Sequence, residues 1–339
     1  ILSAASQPTA NINRTLINAE RKRLKPHVFI DAYEAGSVIK PIIAAAAIEE
    51  GLYAPSTLMD CKGGYWRIHG MSIRDDHPKT VLSLSDVIKH SSNIGAAQLV
   101  LALGKESTYD YLQAFGFGRN SGLEFPAEPR GVLRAPKNIK NVNLITMSYG
   151  YGMTMTLTQL VSAYAALGNG GILMKPMLVQ EILNSSGEVI QKMEAESIER
   201  VVSPTTSRQM LEMMKTVVVD GTAQRASVPG YTVAGKTGTA KKASEGGYSA
   251  TDRIGSFIGL IPADNPVLAI GVSVDTPTVG LAYGGVVAAP VFSEIAEQAM
   301  RILGVEPDNN IVQAQAKVEA IGQATIPEVI WLNSNALQV

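Results

Sequence analysis

The sequence predicts an α+β fold: an antiparallel sheet covered by helices, with a helical subdomain inserted into it. Three observations predict it. Apolar residues recur at helical spacing through the middle of the chain, the period changes to two after Thr232, and a last amphipathic segment is suited to cover a sheet. At 339 residues the chain can bury a sizeable core.

Taken in order, Ile1-Leu2-Ser3-Ala4-Ala5-Ser6 reads as the end of a strand whose partner lies outside the sequence, and the missing initiator Met suggests a fragment. Residues 41–50 form an Ala-rich buried helix stopped by Gly51. Helical spacing predicts one helix from Ser83 to Leu103 and another from Leu144 to Leu167, with Gly104 and Gly168 as their stops. Ser203-Pro204 opens a helix that runs to Val219 and ends at Asp220-Gly221. Strands follow at Thr232–Thr239, Ile254–Ile261 and Val267–Asp275, the last two joined as a hairpin by residues 262–266. Pro290 to Leu303 carries Val291, Phe292, Ile295, Ala296, Ala299 and Ile302 on one face and forms the covering helix. A sheet subdomain is expected over about 1–51 and 204–304, a helical one over about 52–203, and residues 305–339, opening with Glu306-Pro307-Asp308-Asn309-Asn310, as a linker or tail.

Composition excludes several classes. Hydrophobic residues at 46% against 17% charged argue against disorder, and a net charge of -1 provides no basic field for nucleic acid. Arg21, Lys22, Arg23 and Lys25 form a local basic run that reads as a solvated face. The single cysteine, Cys61, forms no internal disulfide and has no ligand-spaced neighbours, so it reads as a half-buried packing residue; no metal or cofactor is expected. No run approaches the ~20 apolar residues of a membrane span.

Three short elements carry chemistry. Gly36-Ser37-Val38-Ile39-Lys40-Pro41 precedes the buried helix and holds the single Ser-x-x-Lys; three residues apart on a helix, Ser37 and Lys40 share a face as nucleophile and base. Burial and the helix dipole both favour a neutral Lys40. Alone the motif is weak, and the commoner reading of it is a helix-cap Ser37 with a solvated Lys40. Ser91-Ser92-Asn93 interrupts an apolar pattern, either as a cap or facing a site. Lys236-Thr237-Gly238-Thr239 lies on a strand, where Gly238 permits close approach of a ligand backbone.

In this order the three elements resemble the signature of penicillin-recognising serine acyltransferases, the β-lactamases and penicillin-binding proteins. Met147-Ser148-Tyr149-Gly150-Tyr151-Gly152, Thr156-Leu157-Thr158-Gln159-Leu160 and Tyr283-Gly284-Gly285 with Ala289-Pro290-Val291-Phe292 extend the resemblance to class B penicillin-binding proteins. It covers roughly residues 1–304. Ser91-Ser92-Asn93-Ile94-Gly95 is most similar to the division-specific type. Ala35 and Leu157 stand where that family usually has proline.

The resemblance implies a penicillin-recognising fold and a peptidoglycan D,D-transpeptidase. Ser37 would be acylated by stem peptides ending in D-Ala-D-Ala, Lys40 would act as base, and Ser91 would relay a proton to the leaving nitrogen. Asn93 would hold Lys40 and a substrate amide, and Lys236 would add positive potential. The N–H groups of Ser37 and Thr239 would form the oxyanion hole, the Thr237 and Thr239 hydroxyls would bind the substrate carboxylate beside Gly238, and Tyr283 would wall the pocket, although a tyrosine before Gly-Gly reads equally as a half-buried packing residue. It further implies β-lactams as inhibitors, divisome membrane proteins as partners, and a place on the outer face of the cytoplasmic membrane behind an N-terminal anchor outside this sequence. A β-lactamase and a β-lactam sensor share the three elements; Glu124 and Glu128 are the acids available as a hydrolytic base. His90 reads as surface or packing, Met210, Met213 and Met214 as core, and Tyr149 and Tyr151 as packing around the glycines.

Overall fold

The computed structural model describes residues 1–8, 24–244 and 246–308. Arg21, Lys22, Arg23 and the tail from Asn309 lie outside them; Lys25 is exposed.

The molecule is organised around α1 (Lys40–Glu49), which follows a 3-10 turn over Gly36–Ile39. Ile42, Ile43 and Ala44 to Ala47 are at most 1% exposed, so α1 is apolar on every side and is packed all round. The hairpin β1 (Tyr65–Ile68) and β2 (Met71–Arg74) lies outside any sequence expectation. Its Trp66, Ile68, Met71 and Ile73 face the core, and Tyr65, Arg67, Ser72 and Arg74 face out.

The expected helix 83–103 is two helices, α2 (Leu84–Lys89) and α3 (Asn93–Ala114). Ser91 between them takes φ +59°, and the Ser92 hydroxyl accepts from Gly95 N–H as the cap of α3. Gly104 breaks α3 at φ +77° without ending it: Thr108 Oγ1 donates to the Gly104 carbonyl, and the helix resumes to Ala114. The expected helix 144–167 divides likewise into α4 (Asn141–Met147) and α5 (Leu157–Gly168), because Gly150 and Gly152 take positive φ and Thr156 with Gln159 forms a capping box. α6 (Pro204–Val219) matches its expectation, with Ser203 as cap and Met210, Met213 and Met214 buried.

The sheet is β3 (Ala234–Ser244), β4 (Gly247–Ile261) and β5 (Leu268–Asp275), antiparallel in that order. β3 and β4 run past the expected ends because their pairing continues through exposed polar residues that lack an apolar alternation. α7 (Ala289–Leu303) covers the sheet: Phe292 packs edge-on against Phe257 at 4.8 Å, and Gly304 closes the helix in the left-handed region. α1 lies against α3 and α6, and α6 packs against β3.

Among the described residues no strand pairs with residues 1–6; the Ile1 amino group donates to Met177 O at 2.6 Å. Two expectations are corrected. Residues 305–308 are hydrogen-bonded to the neighbourhood of β3: Tyr231 Oη donates to Val305 O at 2.5 Å, Asp308 N–H to Gly230 O at 2.9 Å, and the Asp308 carboxylate accepts from Thr232. Cys61 is fully buried, with the Ser92 hydroxyl 3.7 Å from its sulfur.

A Cβ on Gly150 would lie 2.2 Å from Gly36 O, whereas one on Gly170, at the same φ of +85°, would meet open space. Gly170→Ala therefore pays only the left-handed backbone cost of about 1–2 kcal/mol. Gly150→Ala adds a backbone collision and is expected to cost at least about 3 kcal/mol, read as the difference between the two denaturation midpoints.

Candidate active site

The Ser37 turn is held on three sides, two of them by backbone. A Cβ on Gly238 would sit 2.8 Å from Ala35 O, and one on Gly36 3.1 Å from Thr239 O, so the turn and β3 touch through glycine. The backbone that Gly238 admits is thus the chain's own. On another side Gly36 N–H donates to Gly150 O at 3.4 Å. Beneath, the buried Tyr164 of α5 donates its hydroxyl to Val38 O at 2.6 Å. Ser37 itself is partly exposed.

Lys40 is 0% exposed, which overturns any reading of it as a solvated lysine. Its Nζ donates to Ser91 O at 2.6 Å and Asn93 Oδ1 at 2.8 Å, and lies 3.1 Å from Ser91 Oγ. The Ser37–Lys40 hydrogen bond expected from their spacing is not formed among the described residues, because the lysine amine is turned to the Ser91–Asn93 connection. Burial lowers the Lys40 pKa to about 7, with the charges of Asp75 and Asp76 opposing the shift. A neutral amine keeps two N–H donors, matched by the Ser91 and Asn93 oxygens, and turns its lone pair to a hydroxyl.

Lys236 is equally buried, and burial together with the Lys40 charge holds its ammonium well below the usual lysine range. Its Nζ donates to Thr237 O at 3.1 Å. Thr237 Oγ1 shares a 2.7 Å hydrogen bond with Thr222 Oγ1. Thr239 Oγ1 accepts from Gly284 N–H at 3.1 Å, which leaves its own proton to donate. Tyr283, one residue earlier, is 53% exposed at the start of the turn over Gly284–Val287. The structure thus gathers Lys40, Ser91 and Asn93 through direct hydrogen bonds, sets the Ser37 turn against Gly238–Ala240, and brings Lys236 within electrostatic reach of Lys40. Glu124 lies on the surface beside Lys175, and among the described residues no group of three His, Cys, Asp or Glu is placed to hold a metal.

Residues 1–297 match the family model described as the penicillin-binding protein transpeptidase domain. The chain belongs to that family. It is 34% identical over 91% of its length to a probable peptidoglycan D,D-transpeptidase, PbpC, of Pseudomonas aeruginosa, covering 53% of that protein. It is 30% identical over 91% of its length to the peptidoglycan D,D-transpeptidase FtsI of Escherichia coli, covering 50% of it. The chain spans about half the length of these curated relatives. The solved transpeptidase domain of penicillin-binding protein 3 from Burkholderia pseudomallei matches with a TM-score of 0.77 and 36% identity, over 84% of this chain and 83% of that one. The α+β penicillin-recognising fold is that of the family.

Two supports of this transpeptidase domain escaped the sequence reading. Asp75 is buried at the N-terminus of α3: Oδ2 accepts from Ser92 Oγ at 2.6 Å, and Oδ1 from Asn93 N at 2.6 Å and Ile94 N at 3.1 Å. It fixes the segment that meets Lys40; the available signal was an acid seventeen residues ahead of the Ser92 cap, which no local pattern connects. Glu34 Oε1 accepts from Gly152 N at 2.6 Å and Tyr248 Oη at 3.0 Å, while Tyr151 Oη accepts from Lys241 N at 2.9 Å. These contacts tie the Tyr-Gly-Tyr-Gly loop to the end of the β3–β4 hairpin, so Tyr151 does more than pack.

Asp75→Asn removes a negative charge that favours protonated Lys40 and places an amide donor against backbone donors. The Lys40 pKa should fall below about 7, followed by NMR of ¹³C-labelled lysine. Stability should drop by about 1–3 kcal/mol, measured by urea denaturation.

Proposed function

We propose that the domain is a peptidoglycan D,D-transpeptidase working through a Ser37 acyl-enzyme. The observation that carries this reading is the fully buried Lys40 amine, near neutral, held by Ser91 and Asn93 behind the Ser37 turn. Ser37 Oγ attacks the carbonyl of the penultimate D-Ala and gives its proton to neutral Lys40. The Ser37 and Thr239 N–H groups receive the oxyanion, since the glycine contact sets the turn directly on the strand. Ser91 then passes a proton from Lys40 to the nitrogen of the departing D-Ala. An amine from a neighbouring stem peptide attacks the ester, loses a proton along the same route, and regenerates Ser37 as the crosslink forms. Lys236 supplies potential, and the Thr239 proton, uncommitted in the structure, meets the terminal carboxylate with Thr237 and Gly238 beside it. Tyr283 walls the mouth.

The Ser-Ser-Asn-Ile-Gly sequence and the likeness to FtsI support a septal role, with divisome membrane proteins as partners. Among the described residues no helix is long and apolar enough to cross a membrane. A substrate outside the cytoplasm calls for an anchor elsewhere in the gene. The sheet subdomain over about 1–51 and 204–304 carries Ser37 and Lys236, and the helical one over about 52–203 carries Ser91 and Asn93.

Penicillin should acylate Ser37 to a long-lived adduct, located by mass spectrometry of tryptic peptides. Its rate should rise with pH through about 7 as Lys40 loses its proton, and Lys40→Ala should slow it by at least ~100-fold. A label elsewhere, or rapid turnover of the adduct, contradicts the reading. The complete open reading frame should encode one apolar segment of ~20 residues upstream of Ile1; a start codon close to Ile1 with no export signal contradicts the localisation.

A further inference from the structure

The outward face of the β1–β2 hairpin carries two arginines. It presents Tyr65, Arg67, Ser72 and Arg74, with no acid among them. Tyr65 and Arg74 are direct cross-strand partners, and the Arg74 guanidinium lies over the Tyr65 ring at 4.7 Å. The ring is itself fixed, since Tyr65 Oη and Ser72 Oγ share a 3.0 Å hydrogen bond. Among the described residues arginine ion pairs form at Arg119–Glu199 and Arg301–Glu297, and not at Arg67 or Arg74. Asp75, next in sequence, has both oxygens committed to α3. Asp76 is exposed and its charge acts on Lys40. Arg74 is therefore an exposed guanidinium, pre-oriented on an aromatic face and without a carboxylate of its own.

Its position gives that arrangement a use. The Arg74 carbonyl accepts from Asn93 Nδ2 at 2.8 Å, and Asn93 Oδ1 accepts from Lys40 at 2.8 Å, so two hydrogen bonds separate the Arg74 backbone from the catalytic amine. On the transpeptidase reading, a peptide whose carbonyl sits at Ser37 meets Asn93, and the Asn93 amide bonded to the Arg74 carbonyl sets this hairpin beside the segment that precedes its D-Ala-D-Ala end. A guanidinium fork held there suits bidentate pairing with a carboxylate, and stacking on Tyr65 removes much of the ordering cost.

We propose that Arg74, stacked on Tyr65 and backed by Arg67, is a subsite for a side-chain carboxylate in the donor peptide segment that precedes D-Ala-D-Ala. The proposal rests on the transpeptidase reading and adds an anionic donor to it. Arg74 here selects substrate and takes no part in the chemical step.

The test uses two synthetic thioester donors, identical except that one carries a side-chain carboxylate where the other carries a carboxamide. The readout is the ratio of their kcat/KM values for acylation, which cancels any general change in activity. The parent should prefer the carboxylate donor about fivefold, as expected for a charge-assisted contact at an exposed site, and the preference should shrink with added salt. Arg74→Gln should bring the ratio close to one, and Tyr65→Leu should lower it part of the way. A parent ratio of one, or a preference that survives Arg74→Gln, overturns the subsite. Penicillin labelling of Ser37 without a donor preference sinks the subsite alone; failure of both donors and of penicillin sinks the transpeptidase reading and the subsite with it.

Discussion

The structure depends on keeping one amine out of water. Lys40 opens a helix that is apolar all round, so α1 offers its Nζ no polar partner and the partners come from elsewhere. They come from the connection between α2 and α3, whose Ser91 accepts a left-handed backbone to aim its carbonyl and hydroxyl at the lysine. That conformation costs energy, and the buried carboxylate of Asp75 and the Ser92 cap hold it in place. Desolvation then does what no neighbouring base could do alone, bringing a lysine near neutrality without removing it from its hydrogen bonds.

A second constraint is the spacing of backbones. The Ser37 turn touches β3 through Gly36 and Gly238 and the Tyr-Gly-Tyr-Gly loop through Gly150; the contacts at Gly238 and Gly150 are closer than a Cβ permits, and that at Gly36 is tight. Ser37 is placed by main chain against main chain, with Tyr164 bracing the Val38 carbonyl from the core. Such packing has few soft degrees of freedom, as the proposed oxyanion site requires. The turn that Ala35 opens is held from outside, by the strand and the loop.

The parts legible in the sequence were those where periodicity and punctuation agree. α6, α7 and the β4–β5 hairpin each have a clear apolar period bounded by proline, glycine or a capping serine. The helices expected at 83–103 and 144–167 misled because their apolar pattern runs unbroken across a reversal of the chain, both halves being buried in the same core. Ser91-Ser92-Asn93 was read as either a cap or a site residue, and it is divided between the two: Ser92 caps while its neighbours meet Lys40. Asp75, Glu34 and Tyr164 were not legible, since each acts on a segment remote in sequence and carries no local pattern of its own.

The unequal length of the strands has an evolutionary corollary. β4 pairs with β5 from Ile254 onward, so the outer ends of β3 and β4 form a two-stranded ribbon, and Tyr151 packs edge-on against Tyr248 across that ribbon at 5.2 Å. The rim of the cleft is thus anchored by a few aromatic and carboxylate contacts, and the ladder that carries Lys236 continues independently beneath it. Substitutions in the ribbon can reshape the rim of the cleft without disturbing the ladder around Lys236, which makes this edge a natural place for the sequence to vary while that ladder stays fixed.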